Sequence, residues 1–351
     1  MNSQHFNNVP SIFLLVMALG MPASLHAQPA EGLGMWVWSY SAYATPQARQ
    51  RLIRFCEKNH IRHLDVHIRM FQDKNETRLR DAKAFRALIW LAGEHNITTA
   101  ALRGSPRMFF SRNQEKALGE LQAMIAFSRA LPGDTLFRGI KYDVEPYLTE
   151  EWMAKGKSRA IVMEDYLSYL RMAGSVLDEK APQLWLAADT PFWWDRDELI
   201  LNFEGQRKRF SEHVQDLTDF IAIMSYRRGA RQVLNCVEGE RMYAEKIHKV
   251  IFPSLETIEL KKNPDISFYG MPREELWKVV PQLMETAKED PAIGGVMIHC
   301  YRGLSGYPTT KITPAAKATA VVQFEPLRKA NAGKPDRFPK TSAPPLHEGS
   351  K

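Results

Sequence analysis

Two carboxylic acids, Asp143 and Glu145, flank a single valine in the segment FRGIKYDVEPY, residues 137–147. In an extended strand, residues i and i+2 project from the same face, so both acids would enter the same space. Carboxyls at close quarters cannot both ionise freely, and repulsion raises the proton affinity of one of them. The result is a proton donor beside a group that stays ionised, which suits cleavage of a glycosidic bond. The plainer reading is a structural ion pair between Asp143 and Lys141, which shares that face by the same count.

Other residues with chemical capacity stand at the ends of short apolar runs. They are Trp36, Trp38 and Tyr40; Asp65 and His67; Arg103; Asp189 with the following Phe192, Trp193 and Trp194; Tyr226 and Arg227; Glu256; and His299 with Tyr301. Carboxylates and aromatic rings together suit a saccharide, whose C–H faces stack on rings and whose hydroxyls need charged acceptors. For Trp36 and Trp38, core packing is an equal reading. Three consecutive rings at 192–194 cannot all point inward, which favours a binding surface there. Asp65, His67, Asp143, Glu145 and His299 could instead ligate a metal, but these positions lack H-x-H or H-E-x-x-H spacing. No metal or other cofactor is therefore expected.

The elements that must position these side chains alternate regularly. Apolar β-rich runs fall at Gly34–Tyr40, Ile61–Ile68, Ile97–Arg103, Phe137–Val144, Leu184–Asp189, Phe220–Tyr226, Lys249–Leu255 and Gly294–Tyr301. Helical patterns separate them at Thr45–Asn59, Asp81–His95, Ser111–Ala130, Ser158–Glu179, a polar stretch Phe203–Leu217, Glu238–His248 and Arg273–Glu289. Thr45 is placed to cap its helix with Pro46 in the first turn. Strand–helix alternation implies parallel βαβ units. Eight strands without a glycine-rich phosphate loop favour a closed barrel over an open sheet, giving an α/β fold of the (β/α)8 TIM-barrel type. In such barrels working groups lie at the C-terminal strand ends, where the residues named above are found.

The 351 residues, 44% hydrophobic and 25% charged, are ordinary for a globular chain, and an α/β barrel of this length forms one domain. Ile12–Leu19 is an apolar run followed by small residues up to Ala27, too short to span a bilayer as a helix. It reads as the core of a signal peptide over 1–27, although only His5 supplies a basic group ahead of it. A barrel over 28–326 and a disordered, basic, proline-rich tail over 327–351 complete the expected organisation. The net charge is +7, of which the segment Pro326–Lys351 carries +4 (six Lys/Arg less Asp336 and Glu348). The remaining +3 accompanies no nucleic-acid-binding motif, which argues against such a partner. Cys56, Cys236 and Cys300 match no metal or redox spacing and read as buried apolar side chains, with one disulfide as the alternative.

Two families are resembled. Tyr142-Asp143-Val144-Glu145 is similar to the end of the D-x-x-D-x-D-x-E motif of the family 18 chitinase-like hydrolases. Met224-Ser225-Tyr226 is similar to their M-x-Y, and Gly294–Ile298 to their eighth strand. This resemblance implies Glu145 as the acid and Asp143 as the group orienting a substrate acetamido, which itself attacks the sugar carbon. The positions of the motif's two earlier aspartates hold Arg138 and Lys141. Arg227 follows the M-x-Y where the family has Asp, and His299 stands where it has Trp. Glu145-Pro146 and Glu256 also resemble retaining barrel glycosidases with Asn-Glu-Pro on the fourth strand and a nucleophilic Glu after the seventh. That resemblance implies Glu145 as acid and Glu256 as nucleophile.

The expected function is an exported, periplasmic or extracellular glycoside hydrolase acting on a poly- or oligosaccharide. Its expected catalytic residues are Glu145, Asp143 and Glu256. The expected saccharide-binding residues are Trp36, Trp38, Asp65, His67, Arg103, Asp189, Trp193, Tyr226, His299 and Tyr301. A non-catalytic saccharide-binding barrel and a metal-dependent hydrolase are the alternatives. Export predicts that the mature chain begins near Gln28, which N-terminal sequencing of secreted or periplasmic protein checks. Full-length chain recovered from the cytoplasm would count against it.

Overall fold

Eight parallel strands close on themselves in the computed structural model, which describes residues 32–73, 76–133 and 135–306. The strands are β1 (Gly32–Val37), β2 (Ile61–His67), β3 (Thr98–Arg103), β4 (Phe137–Tyr142), β5 (Trp185–Pro191), β6 (Phe220–Met224), β7 (Val250–Glu256) and β8 (Gly295–His299). Each pairs with its sequence neighbours, and β1 closes the ring on β8 from Gly32↔Gly295 to Met35↔Ile298. The main helices are α1 (Pro46–Lys58), α2 (Ala82–Glu94), α3 (Gln114–Arg129), α4 (Gly156–Lys180), α5 (Phe210–Leu217), α6 (Ala230–Cys236), α7 (Glu238–Lys246) and α8 (Arg273–Glu289). This is the expected (β/α)8 TIM barrel. The expected leader (1–27) and tail (327–351) lie outside the described residues. Among those residues, no helix is long and apolar enough to cross a membrane.

Local chemistry accounts for the elements. At the start of α1 the Thr45 hydroxyl accepts the Ala48 amide at 3.1 Å, and Pro46 occupies the first helical position, where a missing N–H costs nothing. Two separate apolar cores result. One lies between the outer strand faces and the helices and includes Leu64, Val66, Leu88, Ile140 and Leu167. The other fills the barrel, where Ala100, Ala187 and Ala222 leave room for Trp36, Trp185, Phe220 and Phe252. A barrel interior admits such large rings only where small residues face them.

Several elements differ from the sequence expectation: β1, β6 and β8 stop short of Tyr40, Tyr226 and Tyr301. β4 stops at Tyr142, because the Glu145-Pro146 step opens a 3-10 turn, Pro146–Leu148. The polar stretch expected as one helix over 203–217 is a hairpin, Ile200–Phe203 with Gln206–Arg209, followed by α5. Its two-residue turn, Glu204-Gly205, has positive φ at both positions (49° and 78°), the geometry a tight hairpin requires. A second hairpin, Met70–Gln72 with Thr77–Leu79, follows β2. The three cysteines are free, Cys56 and Cys300 buried and Cys236 half-buried.

Candidate active site

The barrel interior holds a buried ion cluster beneath its C-terminal mouth. Lys141 on β4 is 1% exposed and donates to Asp65 Oδ2 on β2 at 2.7 Å. Its Nζ also lies 2.8 Å from Asp189 Oδ1 on β5 and 4.4 Å from the Trp36 ring centre. The Trp36 indole donates to Asp189 Oδ2 at 2.8 Å, and His63 Nε2 meets Asp65 Oδ1 at 2.9 Å. Thr98 Oγ1 closes the chain at 2.8 Å from His63 Nδ1. Burial alone would raise Asp65, but Lys141 and His63 outweigh it and hold the carboxyl down to about 2. Burial opposes the charge on Lys141, and Asp189 and Asp65 outweigh that, keeping it an ammonium. Lys141 therefore pairs with Asp65 and Asp189, not with Asp143 as the sequence spacing suggested. Trp36, Asp65 and Asp189, expected to face a ligand, form the floor under the mouth, because buried polar groups persist only when paired.

Above this floor stand the two acids of the β4 end. The Asp143 amide continues the ladder by donating to the Arg103 carbonyl at 2.8 Å. Gly104 permits that approach, since a Cβ there would fall 1.7 Å from the Asp143 carbonyl oxygen. Asp143 Oδ1 is buried without a hydrogen-bond partner. Burial first, then Glu145 and Asp189, push the Asp143 carboxyl well above the usual aspartate range. Asp143 thus keeps a proton that an exposed aspartate would have released. Glu145 Oε1 accepts the hydroxyl of Tyr147, a residue the sequence reading did not single out. The Tyr147 and Tyr226 phenols are both raised by burial and then by neighbouring carboxylates, so both remain protonated donors.

The rim is aromatic. Trp193 is half-buried, its ring 5.3 Å from that of Tyr147, while Trp194 turns into the helix layer and packs on Phe210 at 4.5 Å. Arg227 lies over Phe192 at 4.9 Å. Trp38, just past β1, is 5.5 Å from His67 and donates its indole N–H to His299 Nε2 at 2.8 Å. Burial, then Arg103, pushes His67 down to about 4, so it is neutral over the ordinary range. His299 Nδ1 contacts both Glu256 oxygens, at 2.9 and 3.0 Å. Glu256 is 2% exposed, and its Oε1 also accepts the amides of Thr257 and Ile258 at 2.7 and 2.8 Å.

Two expected ligand contacts point elsewhere. Arg103 turns to α3, where it binds Glu120 Oε2 at 2.6 Å, and to the Ile68 carbonyl at 3.0 Å. Tyr301 belongs to a short helix, Tyr301–Ser305, and packs edge-on against Phe55 of α1 at 5.3 Å. The structure therefore brings together Trp38, His67, Asp143, Glu145, Trp193, Tyr226, Glu256 and His299 around the mouth. Among the described residues, no group of three or more His, Cys, Asp or Glu side chains is arranged to hold a metal ion.

No family model and no curated protein matches the chain in sequence. Solved structures match in fold. An endo-1,4-beta-mannanase from Eisenia fetida aligns with TM-score 0.52 and 11% identity over 79% of this chain and 86% of that one. A calcium-binding mutant of Bacteroides uniformis beta-glucuronidase 2 aligns with TM-score 0.52 and 10% identity over 78% of this chain and 31% of that one. A chitinase from Bacteroides thetaiotaomicron aligns at 0.49 and 15% identity over 78% of this chain and 91% of that one. The chain thus resembles glycoside-hydrolase barrels, and at these identities the likeness is one of fold.

The ion cluster yields a stability prediction. Lys141→Met leaves Asp65 and Asp189 buried without a counter-ion, at an expected cost of about 3–5 kcal/mol. The stability that Asp65 gains from its depressed pKa is complete above the ordinary aspartate range and fades as pH falls towards 2. The deficit of Lys141→Met should therefore shrink on acidification. Urea denaturation at neutral and acid pH checks this, and a deficit below about 1 kcal/mol at neutrality would contradict it.

Proposed function

We propose that this chain is a glycoside hydrolase acting outside the cytoplasm on a poly- or oligosaccharide, with Glu145 as general acid and Asp143 as its partner. The observation that carries the reading is the Asp143–Glu145 pair at the mouth of a closed barrel, with one buried Asp143 oxygen unpartnered and half-buried aromatic rings around it. In this scheme the proton held on Asp143 passes to Glu145, which gives it to the glycosidic oxygen as the bond to the sugar carbon breaks, and Asp143 is left ionised. Tyr147 holds the Glu145 carboxyl in place from its other oxygen, and Tyr226 offers a second phenolic donor to the sugar.

The attacking group is the point at which the two family resemblances diverge. Glu256 is the weaker nucleophile, because backbone amides and His299 occupy its oxygens and only 2% of it is exposed. We therefore favour attack by an acetamido oxygen of the substrate itself. The unpartnered Asp143 oxygen would orient that group, and water would reopen the resulting ring. The substrate class that follows is an N-acetylated amino sugar.

Glu145→Gln keeps shape and hydrogen bonding but delivers no proton. Turnover on N-acetylated oligosaccharides should fall by roughly 10²–10⁴-fold while calorimetric binding stays near that of the wild type. Unchanged turnover would refute Glu145 as the acid. Binding without turnover in the wild type would make the chain a saccharide-binding barrel.

A further inference from the structure

The Trp38–His299–Glu256 chain fixes a protonation state by geometry. An indole nitrogen can only donate, so His299 Nε2, 2.8 Å from Trp38 Nε1, must present its lone pair. The other ring nitrogen lies 2.9 and 3.0 Å from the two Glu256 oxygens, which accept, so Nδ1 carries the hydrogen. The Thr257 and Ile258 amides anchor Glu256 from behind. His299 in this arrangement is therefore the neutral Nδ1–H tautomer. A second proton on Nε2 would set donor against donor and break the contact with Trp38.

We propose that His299, held by Glu256, positions the Trp38 indole at the barrel mouth only while the imidazole is neutral, so that acidification releases this ring and weakens the grip on the saccharide. Both residues are positioning residues for Trp38. The consequence for substrate rests on the saccharide-binding reading of the mouth, whereas the coupling of ring and proton does not.

The surroundings of His299 supply the opposing forces. Burial disfavours its cation. Glu256 on β7, Glu145 beyond β4 and Asp189 on β5 favour it, and together they raise the pKa above the ordinary histidine value. Trp36 on β1 packs edge-on at 5.8 Å, and Tyr226 beyond β6 lies at 6.2 Å, its phenol protonated. His67, whose ring lies 5.5 Å from that of Trp38, is pushed down to about 4 and does not charge in the same range. Lys141 is tied to Asp65 and Asp189 on the floor. Since the folded-state pKa of His299 is raised, the contact with Trp38 is complete above that pKa and lost as pH falls through it.

The test begins without substrate. Nitrogen-15 labelling of the tryptophan indoles, with Trp38→Phe for assignment, follows the Trp38 N–H from about pH 9 to about pH 5, the range in which histidine titrates. The Trp38 signal should shift in one step with a midpoint above the ordinary histidine pKa. His299→Gln, whose amide can accept from Trp38 and donate to Glu256, should keep the high-pH signal throughout. Glu256→Gln removes the carboxylate's charge and should move the step to lower pH, which keeps the idea testable if His299→Gln does not fold. A signal unchanged across the range, or a step retained in His299→Gln, would overturn the proposal. With an N-acetylated oligosaccharide, wild-type affinity should fall roughly tenfold through the step, the loss of about one aromatic contact, and His299→Gln should not show the fall. An intact indole step with no saccharide bound at any pH would refute the saccharide reading and leave the coupling standing. An intact step with saccharide affinity independent of pH would overturn the part of the proposal that concerns grip.

Discussion

A buried ammonium between two buried carboxylates is the constraint on which the site depends. Lys141 cannot leave its place between Asp65 and Asp189 without stranding two charges in an apolar barrel, so three strands, β2, β4 and β5, are pinned to one another from inside. Trp36 extends the pin to β1 through its bond to Asp189. Lys141 also precedes Asp143 by two residues. Once Lys141 is fixed, the register of the β4 end is fixed, and with it the height of Asp143 and Glu145 above the floor. Burial and Glu145 hold the proton on Asp143, Asp189 and Asp65 of the floor add to them, and the Lys141 ammonium opposes them.

The two networks of the site arise at positions where the chain departs from the motif it resembles. Family 18 has aspartate at the place of Lys141 and tryptophan at the place of His299. Here the first position has become the centre of the floor, and the second has become the hinge between Glu256 and Trp38. Glu256, which the second resemblance marks as a nucleophile, is drawn into that hinge. The acid pair of the β4 end is what the chain shares with the motif, and its setting is the chain's own.

The barrel was legible in the sequence because each strand announces itself by a dense apolar run and each helix by its period. The acid pair was read from strand alternation, but β4 stops at Tyr142 and both acids lie beyond it, where Glu145 is near enough to raise Asp143. The partner of Lys141 was not legible, since Asp65 stands 76 residues away and spacing along one strand shows only Asp143. The strand-end rule placed Arg103 where β3 ends, but it placed Tyr301 on β8, which stops at His299, and it carries no information on which face a residue takes. Glu120 on α3 and Phe55 on α1 decide that. The hairpin at Ile200–Arg209 was hidden because its strands are polar and short, although Glu204-Gly205 is a turn signal in the sequence. Tyr147 had a signal of its own, a phenol just beyond Glu145-Pro146, where the chain must turn back towards the acid.

The claim at the centre of this picture is that the barrel holds a proton on Asp143 beside Glu145. Carbon-13 NMR of side-chain carboxyls across pH, in wild type and in Asp143→Asn, reads it directly. One carboxyl should titrate well above the ordinary aspartate range, and that signal should vanish in Asp143→Asn. If Asp143 instead titrates with the exposed aspartates, near about pH 4, the acid pair is not what the burial and charge around it require.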